Sequence, residues 1–278
     1  MNKRRCFLLI LIVLICLMSS PVVYFASASS DGLYYEYGDR FQPPIIDSYG
    51  NELTNGPAIT KYTLVFYLSP TCGSCIDAIR NITRIMRIIG NNTLDYLVIF
   101  EHNKPESLLE KYHVPSNIVA TLMEQKLSMT TPAYFIIDPE GKVFFKSNNL
   151  ASAIEKLFNM DIFNVDELKH NTNEYLRSIL PDSAKKNLVY FSMRGCGDCD
   201  EANKIIDFDP DILDSYEVTK IYDIYDENDQ GALVDDFELY LRVYEIDWYP
   251  CFMILDGDDM YFISRVPITQ LKSILMHK

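Results

Sequence analysis

The chain is short of basic residues: 25 Lys and Arg stand against 39 Asp and Glu over 278 residues, a formal charge of −14. A surface this acidic repels phosphate backbones and anionic lipid heads, so nucleic acid is excluded as an expected partner. An acidic surface otherwise serves solubility. Histidine is also scarce. His102, His113, His170 and His277 show no ligand spacing, so no metal and no cofactor are expected from them. Tryptophan occurs once, at position 248, yet 19 Tyr and 15 Phe are present and 48% of residues are hydrophobic. That composition supplies packed cores and excludes a disordered chain. There is one long apolar run, the 13 residues from Cys6 to Met18. A single run of this kind leaves no multi-span conduit in the chain.

That run reads as part of a targeting segment. Lys3-Arg4-Arg5 precedes it, Ser19-Ser20-Pro21 breaks it, and Ala26-Ser27-Ala28 fits a small-x-small cleavage site. Residues 1–28 are therefore expected to be a signal peptide. Extended through Val22, Val23, Tyr24 and Phe25, the same run is long enough for a membrane anchor. Either reading places the bulk of the chain outside the cytoplasm, secreted or anchored. Without the three leading cations the remainder carries −17.

Seven cysteines occur, at 6, 16, 72, 75, 196, 199 and 251. The first two fall in the targeting segment, and four of the other five form two Cys-x-x-Cys pairs. A disulfide-stapled scaffold would show more cysteines with wider loops. Two close pairs point to redox chemistry or to metal. A zinc site wants four ligands, and each pair offers two, 121 residues apart from Cys75 to Cys196.

The surroundings of the two pairs follow one plan. After a Pro-rich lead from Phe41 to Asn51, Tyr62 to Leu68 is a continuous apolar run, the mark of a buried strand. Cys72-Gly73-Ser74-Cys75 follows and opens a helix whose apolar positions are Ile76, Ile79, Ile82, Met86 and Ile89, with Gly90 as its stop. Leu94 to Phe100 is a second buried strand. Glu106 to Met129 reads as helical, broken near Val114-Pro115. Then come Thr131-Pro132, a strand from Ala133 to Ile137, a turn at Asp138 to Gly141, a strand from Lys142 to Lys146, and a helix to Phe158. The second half repeats the order: strand Asn187 to Phe191, Cys196-Gly197-Asp198-Cys199 at the head of a helix, strand Tyr216 to Ile224, and helix Ala232 to Tyr244. Tyr249-Pro250, strand Cys251 to Leu255, strand Met260 to Arg265 and a closing helix complete it. The first Cys and the proline are 60 residues apart in one half and 54 in the other.

This ordered plan resembles the thioredoxin fold in both halves. The first half, through Thr131-Pro132-Ala133-Tyr134-Phe135-Ile136-Ile137-Asp138-Pro139-Glu140-Gly141-Lys142, resembles the exported bacterial thioredoxin-like disulfide reductases. The second is a more generic thioredoxin-like match, and the tandem is reminiscent of protein disulfide isomerases. The resemblance covers residues 40–278 and implies an α/β fold with two tandem thioredoxin-like domains, each a mixed central sheet flanked by helices. The expected boundaries are a linker at 29–40, domain one at 41–160, a polar linker helix at 161–186, and domain two at 187–278.

The chemistry follows from placement. A disulfide exchanges when a thiolate attacks one of its sulfurs and a mixed disulfide forms. A cysteine at a helix N-terminus gains the unsatisfied N–H groups and the helix dipole, which favour its anion. Cys72 and Cys196 are therefore the expected nucleophiles. Cys75 and Cys199, one turn on, are the resolving thiols. The resemblance adds that Pro132 and Pro250 are cis and that Thr131 and Tyr249 bond the substrate backbone. It also exposes departures. Thioredoxin carries Trp before the first Cys, where Thr71 and Gly195 stand here, and a buried acid six residues earlier, where Phe66 and Tyr190 stand. Asp198 disfavours the Cys196 thiolate by like-charge repulsion, which leans the reading towards a reductase or isomerase. Protein or peptide disulfides would be the substrates. A separate donor or acceptor, membrane-bound or soluble, would supply or take the electrons.

Other readings stay open on the residues alone. Either pair could be structural. The halves could form a non-catalytic client-binding or chaperone module. A thiol peroxidase is a further alternative, with Ser69 three residues before Cys72 but Val65 where such enzymes have proline. Cys251 reads as a small core residue. Residues 226–231 resemble a calcium loop but place Phe237 where the bidentate Glu belongs. Asn81-Ile82-Thr83 is a glycosylation sequon in a host that glycosylates.

Overall fold

The computed structural model describes residues 33–123, 127, 129–223, 233–234, 239–257 and 259–278. The expected signal or anchor at 1–28 and the calcium-like loop at 226–231 lie outside them. Two mixed sheets organise the chain. The first has the order β2-β1-β5-β4-β3-β6-β7, built from β1 (Ile45–Ile46), β2 (Glu52–Leu53), β3 (Tyr62–Leu68), β4 (Leu94–Phe100), β5 (Val119–Leu122), β6 (Ala133–Ile137) and β7 (Val143–Ser147). The second has the order β10-β9-β8-β11-β12, from β8 (Lys186–Ser192), β9 (Tyr216–Tyr222), β10 (Leu233–Val234), β11 (Cys251–Asp256) and β12 (Asp259–Ile263).

The sheets repeat one pattern. β3, β4 and β5 are parallel neighbours, as are β8, β9 and β10. On the other side of the central strand, β6 and β7 run antiparallel, as do β11 and β12. The first sheet adds the short β1–β2 hairpin on β5, turned by Asp47, whose carboxylate accepts from the amides of Tyr49 and Asn51. That hairpin is the Pro-rich lead of the sequence.

Helices fill the layers. They are α1 (Gly73–Ile89), α2 (Glu106–Lys111), α3 (Leu150–Phe158), α4 (Val165–Ile179), α5 (Gly197–Phe208), α6 (Pro210–Ser215), α7 (Leu239–Tyr244) and α8 (Ile268–Met276). The isoleucines of α1 recur at helical spacing and are buried on one face. Gly90 ends the helix with φ +81, and a Cβ there would crowd the Asn171 amide at 3.0 Å, so glycine is favoured.

Two expectations are corrected. The stretch read as a helix from Glu106 to Met129 leaves helix at Lys111. His113 takes φ +54, a 3-10 turn spans Ser116–Ile118, and Val119–Leu122 joins the sheet as β5. Pro115 ends the helical path, and three of the four β5 side chains are buried, which rewards the strand. In the second half, the helix read from Ala232 is described only at Leu239–Tyr244, and Leu233–Val234 pair parallel with β9.

Residues Leu33–Lys278 form one compact unit. Its largest core cluster draws on both sheets: Phe66, Tyr134 and Ile136 from the first, Val189, Phe191, Cys251 and Met253 from the second. Between them lie Ile82 of α1, Leu157 of α3, Leu168 and Leu176 of α4, and Tyr240 of α7. The polar stretch expected to be a linker helix thus carries a buried face, Leu168, Thr172 and Leu176. Arg84 of α1 lies over the Tyr240 ring at 6.0 Å, and the Tyr244 hydroxyl donates to Asn173 at 2.6 Å. Two further clusters cover the outer faces, one around Phe41, Val65 and Phe135, the other around Leu188, Tyr190, Ile206 and Ile254.

Candidate active site

The first Cys pair sits where β3 hands over to α1. Cys72 is the N-cap, with extended φ −93 and ψ 123, and its sulfur accepts from the Cys75 amide at 3.3 Å. The Ser74 hydroxyl lies 3.4 Å from the same sulfur. Cys72 is partly exposed, while Cys75 is buried beneath it. Burial pushes the Cys72 thiol up, but hydrogen bonds from the Cys75 thiol, the Ser74 hydroxyl and the Cys75 amide outweigh it and leave its pKa below the ordinary 9.0. Burial, with the adjacent Cys72, pushes Cys75 up to about 12. The Ser69 amide donates to the Cys75 sulfur at 3.4 Å.

The proline loop closes over this pair. The Thr131–Pro132 peptide is cis, and the Thr131 carbonyl accepts from the Cys72 thiol at 3.6 Å. The sequence missed the clamp on this loop. Asn148, one residue past β7, donates from its side-chain amide to the Thr130 carbonyl at 2.6 Å and to the Pro132 carbonyl at 2.9 Å. It therefore grips the main chain on both sides of the cis peptide. Nothing local marks Asn148, because its partners lie 16 and 18 residues away. Asn148→Ala is expected to raise KM for a protein disulfide about threefold or more, the worth of these net hydrogen bonds, with the Cys72 pKa unchanged. Steady-state kinetics and the pH profile of Cys72 alkylation check this.

The second pair repeats the arrangement. Cys196 is the N-cap of α5, and its sulfur accepts from the Cys199 amide at 3.1 Å. Here the two sulfurs form a disulfide, whereas Cys72 and Cys75 are thiols. Tyr249–Pro250 is also cis, and the Tyr249 carbonyl lies 4.0 Å from the Cys196 sulfur. Gly195 precedes the pair at φ +73, a conformation that the Thr71 of the first site does not need. Arg265, past β12, pairs with Asp247 on the segment leading to Pro250. Asp198 and Asp200 stand in the first turn of α5, where the first site has no acid. The rims differ too: Met193 and Trp248 are 39% and 52% exposed near the second pair.

The remaining sequence candidates fall elsewhere. Cys251 is buried on the sheet face opposite α5, its thiol donates to the Ile263 carbonyl at 3.5 Å, and burial pushes its pKa up to about 12. That placement keeps it away from the second pair. Asn81 of the sequon is buried, with its amide on the Asp77 carbonyl at 2.9 Å. Ser69 bonds Thr71 through its hydroxyl at 3.2 Å, and Val65 is buried on the face away from α1. Among the described residues, no three His, Cys, Asp or Glu side chains converge to hold a metal ion, and no helix is long and apolar enough to cross a membrane.

No family model and no curated protein matches the chain. Solved structures do. A thiol:disulfide interchange protein from Bacteroides sp. is 18% identical, covers 44% of this chain and 90% of its own, and has a TM-score of 0.36. The thioredoxin domain of a thiol-disulfide oxidoreductase from Bacteroides vulgatus is 19% identical, over 44% of this chain and 97% of its own, with a TM-score of 0.35. A peroxiredoxin-like protein from Aquifex aeolicus is 20% identical, over 45% and 88%, with a TM-score of 0.36. The chain is similar to thioredoxin-fold thiol–disulfide proteins over somewhat less than half of its length.

Proposed function

We propose that the chain is an exported thiol–disulfide oxidoreductase acting on protein disulfides, as a reductase or isomerase, with Cys72/Cys75 and Cys196/Cys199 as its two redox pairs. The observation that carries the reading is the split within the first pair. One sulfur is reachable, capped by amide and hydroxyl donors and lowered in pKa. The other is buried one turn behind and held protonated. That is the division of labour between an attacking and a resolving thiol.

The step balances as follows. The Cys72 thiolate attacks one sulfur of a client disulfide, and the other client sulfur leaves as a thiolate. The Cys75 thiolate then attacks the Cys72 sulfur and releases the second client thiolate. Two electrons pass to the client, two protons restore its thiols, and a Cys72–Cys75 disulfide remains. A separate dithiol donor reduces it for the next cycle. The carbonyls of Thr131 and Tyr249, each next to a sulfur, would accept from the client backbone beside its disulfide.

The test is turnover. The chain, a dithiol donor and a disulfide-bonded protein are mixed, and client thiols are counted after acid quenching. Catalysis above the donor alone supports the reading. A holding role is favoured by one observation, the exposed Met193 and Trp248 beside the second pair. Suppressed client aggregation without thiol release would replace the enzyme with that role.

The pH dependence has a defined sign. A lowered pKa means the Cys72 thiolate persists below pH 9.0, the ordinary value, and disappears as pH falls through the shifted one. Alkylation of the reduced chain at Cys72 is expected to show its midpoint below 9.0, with Cys75 silent across the same range because its pKa is pushed up to about 12. Mass mapping of the alkylated cysteines checks both halves of the statement.

A further inference from the structure

Between the second sheet and α5 lies one aromatic pair. Tyr190 of β8 faces Phe252 of β11 in register, the rings stacked 5.0 Å apart at 11°. The first sheet holds Phe66 of β3 against Tyr134 of β6 in the same register, edge to face at 5.7 Å. All four are buried. Phe66 stands six residues before Cys72, as Tyr190 does before Cys196, and Tyr134 stands two after Pro132, as Phe252 does after Pro250. The pair is kept in both halves, and its hydroxyl has changed strands.

In the second half that hydroxyl has a partner. It donates to the Cys199 carbonyl at 2.9 Å, while the Cys199 amide donates to the Cys196 sulfur at 3.1 Å. Cys199 is thus held at one end by Tyr190 and presents the other end to the nucleophile. Burial raises the Tyr190 pKa, so the phenol stays a donor rather than a charge. Tyr134 packs in the cluster that contains Cys75 and touches Cys72.

We propose that Tyr190 is the positioning residue of the second Cys pair, holding Cys199 so that its amide stays aimed at the Cys196 sulfur. At the first pair the hydroxyl-bearing ring, Tyr134, lies on the facing strand, packed against Phe66. The inference rests on the reading of Cys196 and Cys199 as a redox pair. An amide aimed at a thiolate makes a charge-assisted hydrogen bond, which is worth more than the same bond to a thiol. Loosening the first turn of the helix weakens that bond and so the thiolate.

Tyr190→Phe keeps the stacked ring and removes one oxygen. In the reduced chain, the pH midpoint of Cys196 alkylation is expected to move up. The rate at neutral pH is expected to fall about three- to tenfold, the worth of one hydrogen bond. The charged and titratable groups around this turn stay in place: Asp198 and Asp200 in the turn itself, Arg194 bonded to Asp223 before it, Tyr222 on β9, and Asp207 further along α5. Cys72 in the same molecule is the internal reference and should not move. An unmoved Cys196 midpoint or an equal shift at Cys72 overturns the inference. Glutathione exchange is measured alongside. A Cys196 that shifts as expected in a pair that exchanges no electrons sinks the redox reading and leaves the positioning role standing.

Discussion

Cys75→Ser is expected to turn the first site into a trap. With the second pair silenced by Cys196→Ser and Cys199→Ser, one client molecule should become disulfide-bonded to Cys72 and stay there, and turnover should stop. The geometry makes this the largest catalytic effect available. Cys75 is the thiol placed one turn behind Cys72, buried, with the Ser69 amide on its sulfur at 3.4 Å. Its pKa is pushed up first by burial, then by its hydrogen bond with Cys72 and by the Cys72 charge. The last two causes vanish once Cys72 has bonded to a client, because its sulfur no longer carries a charge to repel a second anion. On the proposed roles, resolution would be coupled to capture: Cys75 would lose these two upward pushes once Cys72 is bonded, while burial, the largest, remains. A serine hydroxyl forms no disulfide, so the mixed species has no internal exit. Non-reducing electrophoresis and mass mapping of the adduct check it. Cys72→Ser in the same background should form no adduct. An adduct on Cys75 rather than Cys72 would reverse the assigned roles.

The elements legible in the sequence are those whose signal is local. Tyr62–Leu68 and Leu94–Phe100 are buried strands, and continuous apolar runs announce them. Cys72 and Cys196 at helix starts follow from the strand that ends before each and the periodicity that begins after. What escaped depends on distant partners. Val119–Leu122 carries too short an apolar run to be told from helix, and only β4 and β1 on either side make it a strand. Asn148 looks like a loop residue until the proline loop folds onto it. The exchanged hydroxyl of Tyr190 and Tyr134 is invisible without the register of two strands. In the polar stretch 161–186 the buried face of α4 is only three residues wide, too narrow to show against its water-facing sides.

That narrow face carries the second large effect. Leu176→Ala is expected to destabilise the chain by about 2–5 kcal/mol, the range for an emptied leucine site in a packed core. Leu176 is wholly buried in the cluster shared by both sheets, so its cavity opens beneath α1 on one side and α7 on the other. Arg87 of α1 strengthens the seam from its edge, lying over the Tyr175 ring at 4.9 Å and donating to Ser178 at 3.0 Å. Two probes read the two halves separately. Trp248 is the only tryptophan and reports on the second half, while protection of Cys75 from alkylation reports on the first. If the core is shared as the packing indicates, the substitution moves both denaturant midpoints together. A shift confined to one probe would mean that each half keeps its own core and that α4 belongs to one of them. The difference bears on function. A shared core would hold Cys72 and Cys196 on one scaffold, and on the proposed redox reading it would leave no swing of one half onto the other to carry electrons between the pairs.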